Sequence, residues 1–237
     1  MKLKDKIAVI TGASSGLGSA IAAALIQKGA IVFGLARNIT ALNQLKNQLG
    51  DRFFPVEMDI THAHQLKNWV QKTFHADYIP HILINNAGTG GFAAIDQMAE
   101  DDWLTMTNTN MNGMYYVTSS IVPLMKVTKE SKHIINIGSI LGTMGREEGS
   151  AYCATKHAVV GFSDALFKEL RHFNIKVTCF NPGSIETDFF KTSGIDSHSN
   201  MLHPSDLADI IVHVLETPEN VLINEMTVRP LNPKKPL

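Results

Sequence analysis

The chain has little of what marks several common classes of protein. Only two of its 237 residues are cysteine, too few for a disulfide framework and too far apart for a CxxC metal or redox site. Its formal net charge of −1 leaves no basic surplus for binding phosphate backbones or anionic lipids. No apolar run approaches the roughly 18 residues that a membrane span needs, and no signal peptide is recognisable. We therefore expect a cytoplasmic protein that binds neither nucleic acid nor membrane.

A metal site is also not expected. His62 and His64 form an HxH pair inside a predicted helix, where residues two positions apart do not share a face. The histidines therefore favour an ordinary helix surface, and we predict no metal.

What the chain does have is a regular alternation of short apolar runs with longer segments of helical pattern. Continuously apolar runs indicate strands buried on both faces, which is typical of parallel sheets with helical crossovers. We predict one domain over residues 1–237, a Rossmann-type doubly wound α/β sheet of about seven mostly parallel strands with helices on both faces. The predicted strands cover residues 6–11, 30–36, 53–58, 81–85, 133–139, 175–180 and 221–228.

Two helix ends can also be predicted. A glycine just after a helix accepts the left-handed backbone that often ends it, so the first helix is expected to stop at Gly29. The helix after the third strand is expected to begin with Thr61 as its N-cap.

In a sheet of this kind ligands bind beyond the carboxyl ends of the strands, and the first of these ends carries the glycine-rich turn TGASSGLG, residues 11–18. Gly12, Gly16 and Gly18 would let the backbone approach a pyrophosphate at the start of the next helix. The spacing is GxxxGxG, which differs from the common GxGxxG fingerprint. Taken alone, the turn is also compatible with nothing more than close helix packing.

The next two strand ends carry charged residues. Enzymes that select NAD usually have an acid after the second strand, where this chain has Arg37, a side chain suited to a 2′-phosphate. We therefore favour NADP(H) over NAD(H), the alternative being that Arg37 is only a solvated cation. After the third strand, Asp59 and Ile60 are placed to frame an adenine, although Asp59 is equally placed to cap the next helix.

Two further motifs combine polar and small residues. NNAG, residues 85–88, has asparagines that can tie neighbouring strands together where the backbone passes close to a ligand. SAYCATKHA, residues 150–158, puts Tyr152 and Lys156 four positions apart, on one face of a helix. Lowering a phenol pKa from about 10 to about 7 requires roughly 4 kcal/mol of preferential stabilisation of the phenolate. A neighbouring ammonium acts in that direction, so we expect a lowered pKa for Tyr152.

TGASSGLG, NNAG and YCATK, in this order and at these distances, resemble the classical short-chain dehydrogenase/reductase family over nearly the whole chain. The resemblance implies a nicotinamide dinucleotide cofactor and a catalytic tetrad, whose members would be Asn110, Ser139, Tyr152 and Lys156. Asn108 and Asn112 lie close enough to compete with Asn110 for its role. The implied cofactor-binding residues are Gly12, Ser14, Ser15, Gly16, Leu17, Gly18, Arg37, Asp59, Ile60, Asn86, Ala87, Gly88, Tyr152, Lys156, Pro182, Gly183, Ile185 and Thr187.

The resemblance also implies how the tetrad works. Tyr152 would donate a proton to a carbonyl oxygen that Ser139 holds, Lys156 would bond the nicotinamide ribose, and Asn110 would hold a water. A substrate lid is expected at about residues 184–203, with Phe189 and Phe190 as candidate contacts.

The substrate is less well defined by the sequence. Arg146, in the loop GTMGREEG, either pairs with Glu147 or Glu148 at the surface, which we favour, or binds a substrate carboxylate. The last strand, VLINEMTV, is similar to that of NADP-dependent 3-hydroxy acid dehydrogenases and small-carbonyl reductases. It departs from the VDGG-type ending common among oxoacyl-carrier-protein reductases. That resemblance favours a small polar substrate.

We therefore expect an NADP(H)-dependent oxidoreductase that transfers hydride between the nicotinamide and a small carbonyl or alcohol substrate. By resemblance, the protein would be a homodimer or homotetramer. One alternative is a non-catalytic dinucleotide-binding redox sensor, which would not need Ser139, Tyr152 and Lys156 together. The other is a 3-oxoacyl-carrier-protein reductase.

Overall fold

The computed structural model describes residues 1–189 and 200–232, which build one seven-stranded parallel sheet in the order β3-β2-β1-β4-β5-β6-β7. The strands are β1 (Ile7–Thr11), β2 (Ile31–Ala36), β3 (Phe53–Glu57), β4 (Ile82–Asn85), β5 (Lys132–Ile137), β6 (Ile175–Pro182) and β7 (Glu225–Val228). The strands after β1 are added on one side of it up to β3, and those from β4 onward are added on its other side. This reversal of the strand order between β1 and β4 opens a crevice at their carboxyl ends. The predicted doubly wound fold is confirmed.

Helices cover both faces of this sheet. They are α1 (Gly16–Gln27), α2 (Ile39–Leu49), α3 (Ala63–Thr73), α4 (Glu100–Thr107), α5 (Met114–Met125), α6 (Ser150–Leu170) and α7 (Pro204–Glu216). Neighbouring side chains of a strand point to opposite faces, so Ala8 and Ile10 pack with α1 and α7, whereas Ile7 and Val9 pack with α3, α5 and α6. In the described part of the chain, no helix has the length and apolar character to cross a bilayer.

The two predicted helix ends have different outcomes. α1 ends at Gln27 with Lys28 as its C-cap, and Gly29 follows one residue later than predicted, with a φ of +83° in the left-handed region expected of a helix-ending glycine. The prediction that Thr61 caps α3 is wrong, because His62 is the N-cap. The Thr61 backbone N–H and hydroxyl instead both donate to Asp59 Oδ1, at 2.9 and 2.7 Å. The Asp59 carboxylate thus stabilises the turn that leads into the helix.

The helix that carries Asn110 is not continuous. A π-helical segment, Asn108–Gly113, separates α4 from α5. Its wider turn shifts the helix register, and such segments are frequent at functional sites. Gly113 ends the segment, but one glycine in a helical pattern does not by itself predict a π-helical turn at Asn110.

The packing of α1 against α7 can be tested by its contribution to stability. Leu25 of α1 is fully buried in the cluster that includes α7. We expect Leu25→Ala to lower the free energy of unfolding by about 2–5 kcal/mol, because it removes buried methyl groups and leaves a cavity. The matched control Leu231→Ala, at a side chain that is 93% exposed, should change it by less than about 0.5 kcal/mol. Urea unfolding would measure both, and equal effects would contradict the described packing.

Candidate active site

A cleft of about 1050 Å³ lies at the carboxyl ends of the strands. It is lined by the turn after β1 and by the loops that follow β2 to β6. All candidate cofactor-binding and catalytic residues predicted from the sequence line it, except Gly18 and Asn110. Each of these two contacts a lining residue, Gly18 through Gly12 and Asn110 through Thr89. The fold therefore brings the separate motifs to one place.

The glycine-rich turn is shaped for a ligand that approaches its backbone. Gly12 and Gly16 have φ values of +66° and +54°, in the left-handed region that side chains disfavour. A Cβ on Gly18 would collide with the Gly12 carbonyl oxygen and come within 2.6 Å of Asn86 Nδ2. The start of α1 points its free N–H groups into the same turn, a favourable position for a phosphate.

The two asparagines of NNAG connect neighbouring strands, as predicted. Asn86 Nδ2 donates to the Thr11 and Gly12 carbonyl oxygens at 2.9 and 3.1 Å, which joins the end of β4 to β1. Asn85 Nδ2 donates to Asn136 Oδ1 at 2.8 Å, which joins β4 to β5. These bonds hold together the strand ends that form the floor of the cleft.

Arg37 lies exposed at the β2 end of the cleft, next to Asn38, which caps α2 by accepting from the Ala41 N–H at 3.0 Å. Within residues 1–189 and 200–232, no hydrogen bond or ion pair engages its guanidinium. Nearby, burial works to raise the pKa of Asp59, but hydrogen bonds from Thr61 and the charges of His62 and Arg37 lower it overall. Asp59 therefore lines the cleft and supports the α3 turn at once.

Ser139, Tyr152 and Lys156 meet where β5 ends beside α6. Tyr152 is 8% exposed and lies beside the Ser139 side chain, whose Oγ accepts from the Leu141 N–H at 3.1 Å. Lys156 Nζ donates to the Ile137 carbonyl oxygen at 3.0 Å and lies 5.6 Å from the centre of the Tyr152 ring. The spacing of four residues on α6 thus places the ammonium beside the phenol.

The pKa values of this pair differ from the sequence expectation. Burial raises the pKa of Tyr152, an effect that the Ser139 side chain only partly offsets. Burial also lowers the pKa of Lys156 to about 8, with the Cys179 sulfur opposing the shift. The expected lowering of the Tyr152 pKa is therefore not produced by the chain alone, because burial disfavours the phenolate more than the Ser139 side chain stabilises it.

Asn110 is the inward-facing member of the three competing asparagines. Asn108 and Asn112 are exposed and bond each other, whereas Asn110 is 2% exposed. Its Oδ1 accepts from the Thr89 N–H at 2.9 Å, and its Nδ2 donates to the Thr89 carbonyl oxygen at 2.8 Å and to Thr155 Oγ1 at 3.0 Å. Both amide protons are in use, so only a lone pair of Oδ1 remains for a further partner.

The sequence analysis did not predict three residues that contact Asn110 or Tyr152. Thr89 and Thr155 hold Asn110, and Phe92 packs its ring 5.4 Å from that of Tyr152. The position of Thr155, one residue before Lys156, was a usable signal, whereas nothing in the local pattern marks Phe92.

Phe189, a candidate lid contact, packs on the Tyr152 ring with ring centres 5.7 Å apart. Phe190 and residues 190–199 of the expected lid lie outside the described residues.

Comparison with known proteins identifies the family. The family model for short chain dehydrogenases matches residues 6–197. The chain belongs to the classical short-chain dehydrogenase/reductase family. An uncharacterized oxidoreductase of Staphylococcus epidermidis is 34% identical over 233 residues, which cover 97% of this chain and 99% of the relative.

Solved structures of the family have the same fold. A serine dehydrogenase in its closed form with NADP+ is 30% identical, with a TM-score of 0.86 over 94% of each chain. The 3-ketoacyl-(acyl-carrier-protein) reductase from Brucella melitensis with NADH is 25% identical, with a TM-score of 0.88 over 98% of this chain and 100% of that one. Members of the short-chain dehydrogenase/reductase family that resemble this chain thus bind either dinucleotide.

The lowered pKa of Lys156 makes a test of its burial. Between pH 8 and its ordinary value of 10.5, folded Lys156 has released a proton that the unfolded chain still holds, so rising pH favours the folded state. We expect the free energy of unfolding of the wild type, minus that of Lys156→Met, to rise by about 1 kcal/mol from pH 8 to pH 9. Urea unfolding at each pH would measure it, and a flat difference would mean that the ammonium is solvated.

Proposed function

We propose that this protein is an NADP(H)-dependent oxidoreductase that transfers hydride between the nicotinamide and a small carbonyl or alcohol substrate. One observation carries the proposal: a single cleft joins a turn with no room for side chains to the contiguous group Ser139, Tyr152 and Lys156. A nucleotide-binding scaffold without chemistry would need the turn only. The group beside it contains the acid and the cation that carbonyl reduction requires.

The residues of the cleft fit a nicotinamide dinucleotide. The pyrophosphate would lie against the backbone of Gly12 and Gly16, whose left-handed φ values disfavour side chains, and a 2′-phosphate would pair with Arg37. By family resemblance, Ile185 and Thr187 would contact the nicotinamide end. When bound there, the cofactor supplies or accepts the hydride.

The chain's own part is to hold the substrate oxygen and to move a proton. We infer that the Ser139 hydroxyl and the Tyr152 hydroxyl both contact the carbonyl oxygen of the substrate, and that Tyr152 Oη donates its proton to it. The raised pKa keeps this phenol protonated, as reduction requires. The neighbouring Lys156 ammonium would stabilise the phenolate that remains, and the free lone pair of Asn110 would hold a water that returns the proton.

A small substrate is supported by the aromatic rings on Tyr152. Phe92 and Phe189 both pack on the phenol ring, and Phe189 fills the space that a side chain at Gly90 would occupy. These contacts limit the room beside the proton donor. They favour a small carbonyl compound over a long acyl chain. The homodimer or homotetramer expected from the family stays a prediction.

The role of Tyr152 can be tested by removing one oxygen atom. We expect Tyr152→Phe to lower kcat for the reduction of small ketones and aldehydes by about 10³-fold, because the proton donor is lost. NADPH binding should change little. NADPH absorbance would measure turnover, and fluorescence titration would measure NADPH binding. The variant Tyr115→Phe, at an exposed tyrosine, is a control that should retain activity. Undiminished turnover would reject Tyr152 as the acid, and wild-type protein that binds NADPH tightly but reduces no carbonyl would favour a redox sensor.

The cofactor preference depends on Arg37. We expect Arg37→Ala to weaken NADPH binding by about 10- to 100-fold, the loss of a charge-assisted contact to the 2′-phosphate. NADH binding should change by less than about twofold, since NADH has no such phosphate. Dissociation constants from fluorescence titration would measure both, with Arg171→Ala on the α6 side as a matched control. Equal losses for the two dinucleotides would contradict the proposal.

A further inference from the structure

A second arginine, Arg146, lines the cleft at a distance from Arg37 along the sheet. Arg37 follows β2, whereas Arg146 lies between β5 and α6, close to Tyr152. The sequence favoured an ion pair of Arg146 with Glu147 or Glu148. That expectation is wrong, because neither carboxylate pairs with it, and no other ion pair forms at Arg146 among residues 1–189 and 200–232.

The guanidinium of Arg146 is held against the substrate side of the cleft. Its central carbon lies 4.9 Å from the centre of the Phe92 ring, and the same ring packs 5.4 Å from that of Tyr152. A guanidinium that lies over an aromatic ring is attracted to the ring face and still has N–H groups that point away from the ring. Those groups have the geometry that binds both oxygens of a carboxylate.

Backbone hydrogen bonds hold the loop of Arg146 beside Phe92. The Gly149 N–H donates to the Arg146 carbonyl oxygen at 3.1 Å, and the Ala93 N–H donates to the Glu148 carbonyl oxygen at 2.8 Å, which ties the loop to the segment of Phe92. A Cβ on Gly149 would come within 3.3 Å of both Arg146 Cβ and Phe92 Cε1. Glu148 adopts a φ of +58°, an unusual conformation for a glutamate. The backbone thus holds the arginine and the ring together.

We propose that Arg146 binds a carboxylate of the substrate, so that the protein reduces small oxo acids or oxidises the corresponding hydroxy acids. The inference rests on the proposed function, because it places the reacting carbonyl at Tyr152. Phe92 contacts both Arg146 and Tyr152, so the carboxylate and the carbonyl belong to one short molecule. The cofactor's 2′-phosphate is assigned to Arg37, next to Asp59 at the other end of the cleft.

The test compares acids with neutral amides of the same shape. The pairs are acetoacetate with acetoacetamide, and 4-oxopentanoate with 4-oxopentanamide, each reduced with NADPH. We expect the wild type to prefer one or both acids in kcat/KM. Arg146→Gln should lower kcat/KM for the preferred acid by about 10- to 100-fold, mainly through KM, and change the amide by less than about twofold.

A matched control separates the site from overall charge. Arg229 is exposed and donates to the Sδ atom of Met144 at 3.5 Å. Met144 lies in the loop that carries Arg146, but Arg229 is not among the described residues that line the cleft. Arg229→Gln removes the same charge and should change neither substrate by more than about twofold. An equal loss for acid and amide in Arg146→Gln, an equal loss in Arg229→Gln, or a wild type that does not prefer the acids would overturn the proposal.

A binding measurement distinguishes failure of this inference from failure of the proposed function. Protein saturated with NADP+ is titrated calorimetrically with acetoacetate and with acetoacetamide, a combination that cannot react because neither the oxidised cofactor nor the carbonyl compound supplies a hydride. We expect the wild type to bind the acid about 10-fold or more tightly than the amide, and Arg146→Gln to lose this preference. Tight acid binding through Arg146 without any turnover would overturn the proposed function only. Turnover of carbonyl compounds without an acid preference in binding would overturn the role of Arg146 only.

Discussion

The proposed chemistry depends on two ionisable side chains, Tyr152 and Lys156, that are buried side by side where β5 meets α6. Loss of water drives both Tyr152 and Lys156 towards their neutral forms, which raises the pKa of the phenol and lowers that of the ammonium to about 8. The phenol therefore keeps its proton in the protein alone. That state suits a proton donor, whereas the reverse reaction requires added positive charge in the cleft to stabilise the phenolate.

The surrounding polar bonds keep this buried pair in place. Lys156 is held by the carbonyl oxygen at the end of β5, and Asn110 ties the loop after β4 to α6 through Thr89 and Thr155. The π-helical segment presents Asn110 to this loop, whereas its neighbours Asn108 and Asn112 remain exposed. In the proposed mechanism these bonds fix the position of the proton donor, because proton transfer is sensitive to the distance between donor and acceptor.

The cleft separates its reacting groups from its charged binding groups. Tyr152 and Lys156 are buried at the centre, whereas Arg37 and Arg146 are exposed near different strand ends. An exposed cation retains its water until an anion arrives, so it costs little to maintain and binds by exchanging water for a charged partner. In our proposals, one arginine selects the cofactor and the other the substrate, and neither disturbs the titration of the buried pair.

The sequence by itself determined the sheet, the glycine-rich turn and the residues Ser139, Tyr152 and Lys156, because apolar periodicity and motif spacing are local properties of the chain. Tertiary structure decided the rest. Thr61 bonds Asp59 while the N-cap of α3 falls on His62, and the helix around Asn110 contains a π-helical segment. Arg146 packs on Phe92 instead of pairing with Glu147 or Glu148. Tertiary structure also set the direction in which the Tyr152 pKa shifts. Burial and contacts between distant segments set all of these features, and neither can be read from neighbouring residues alone.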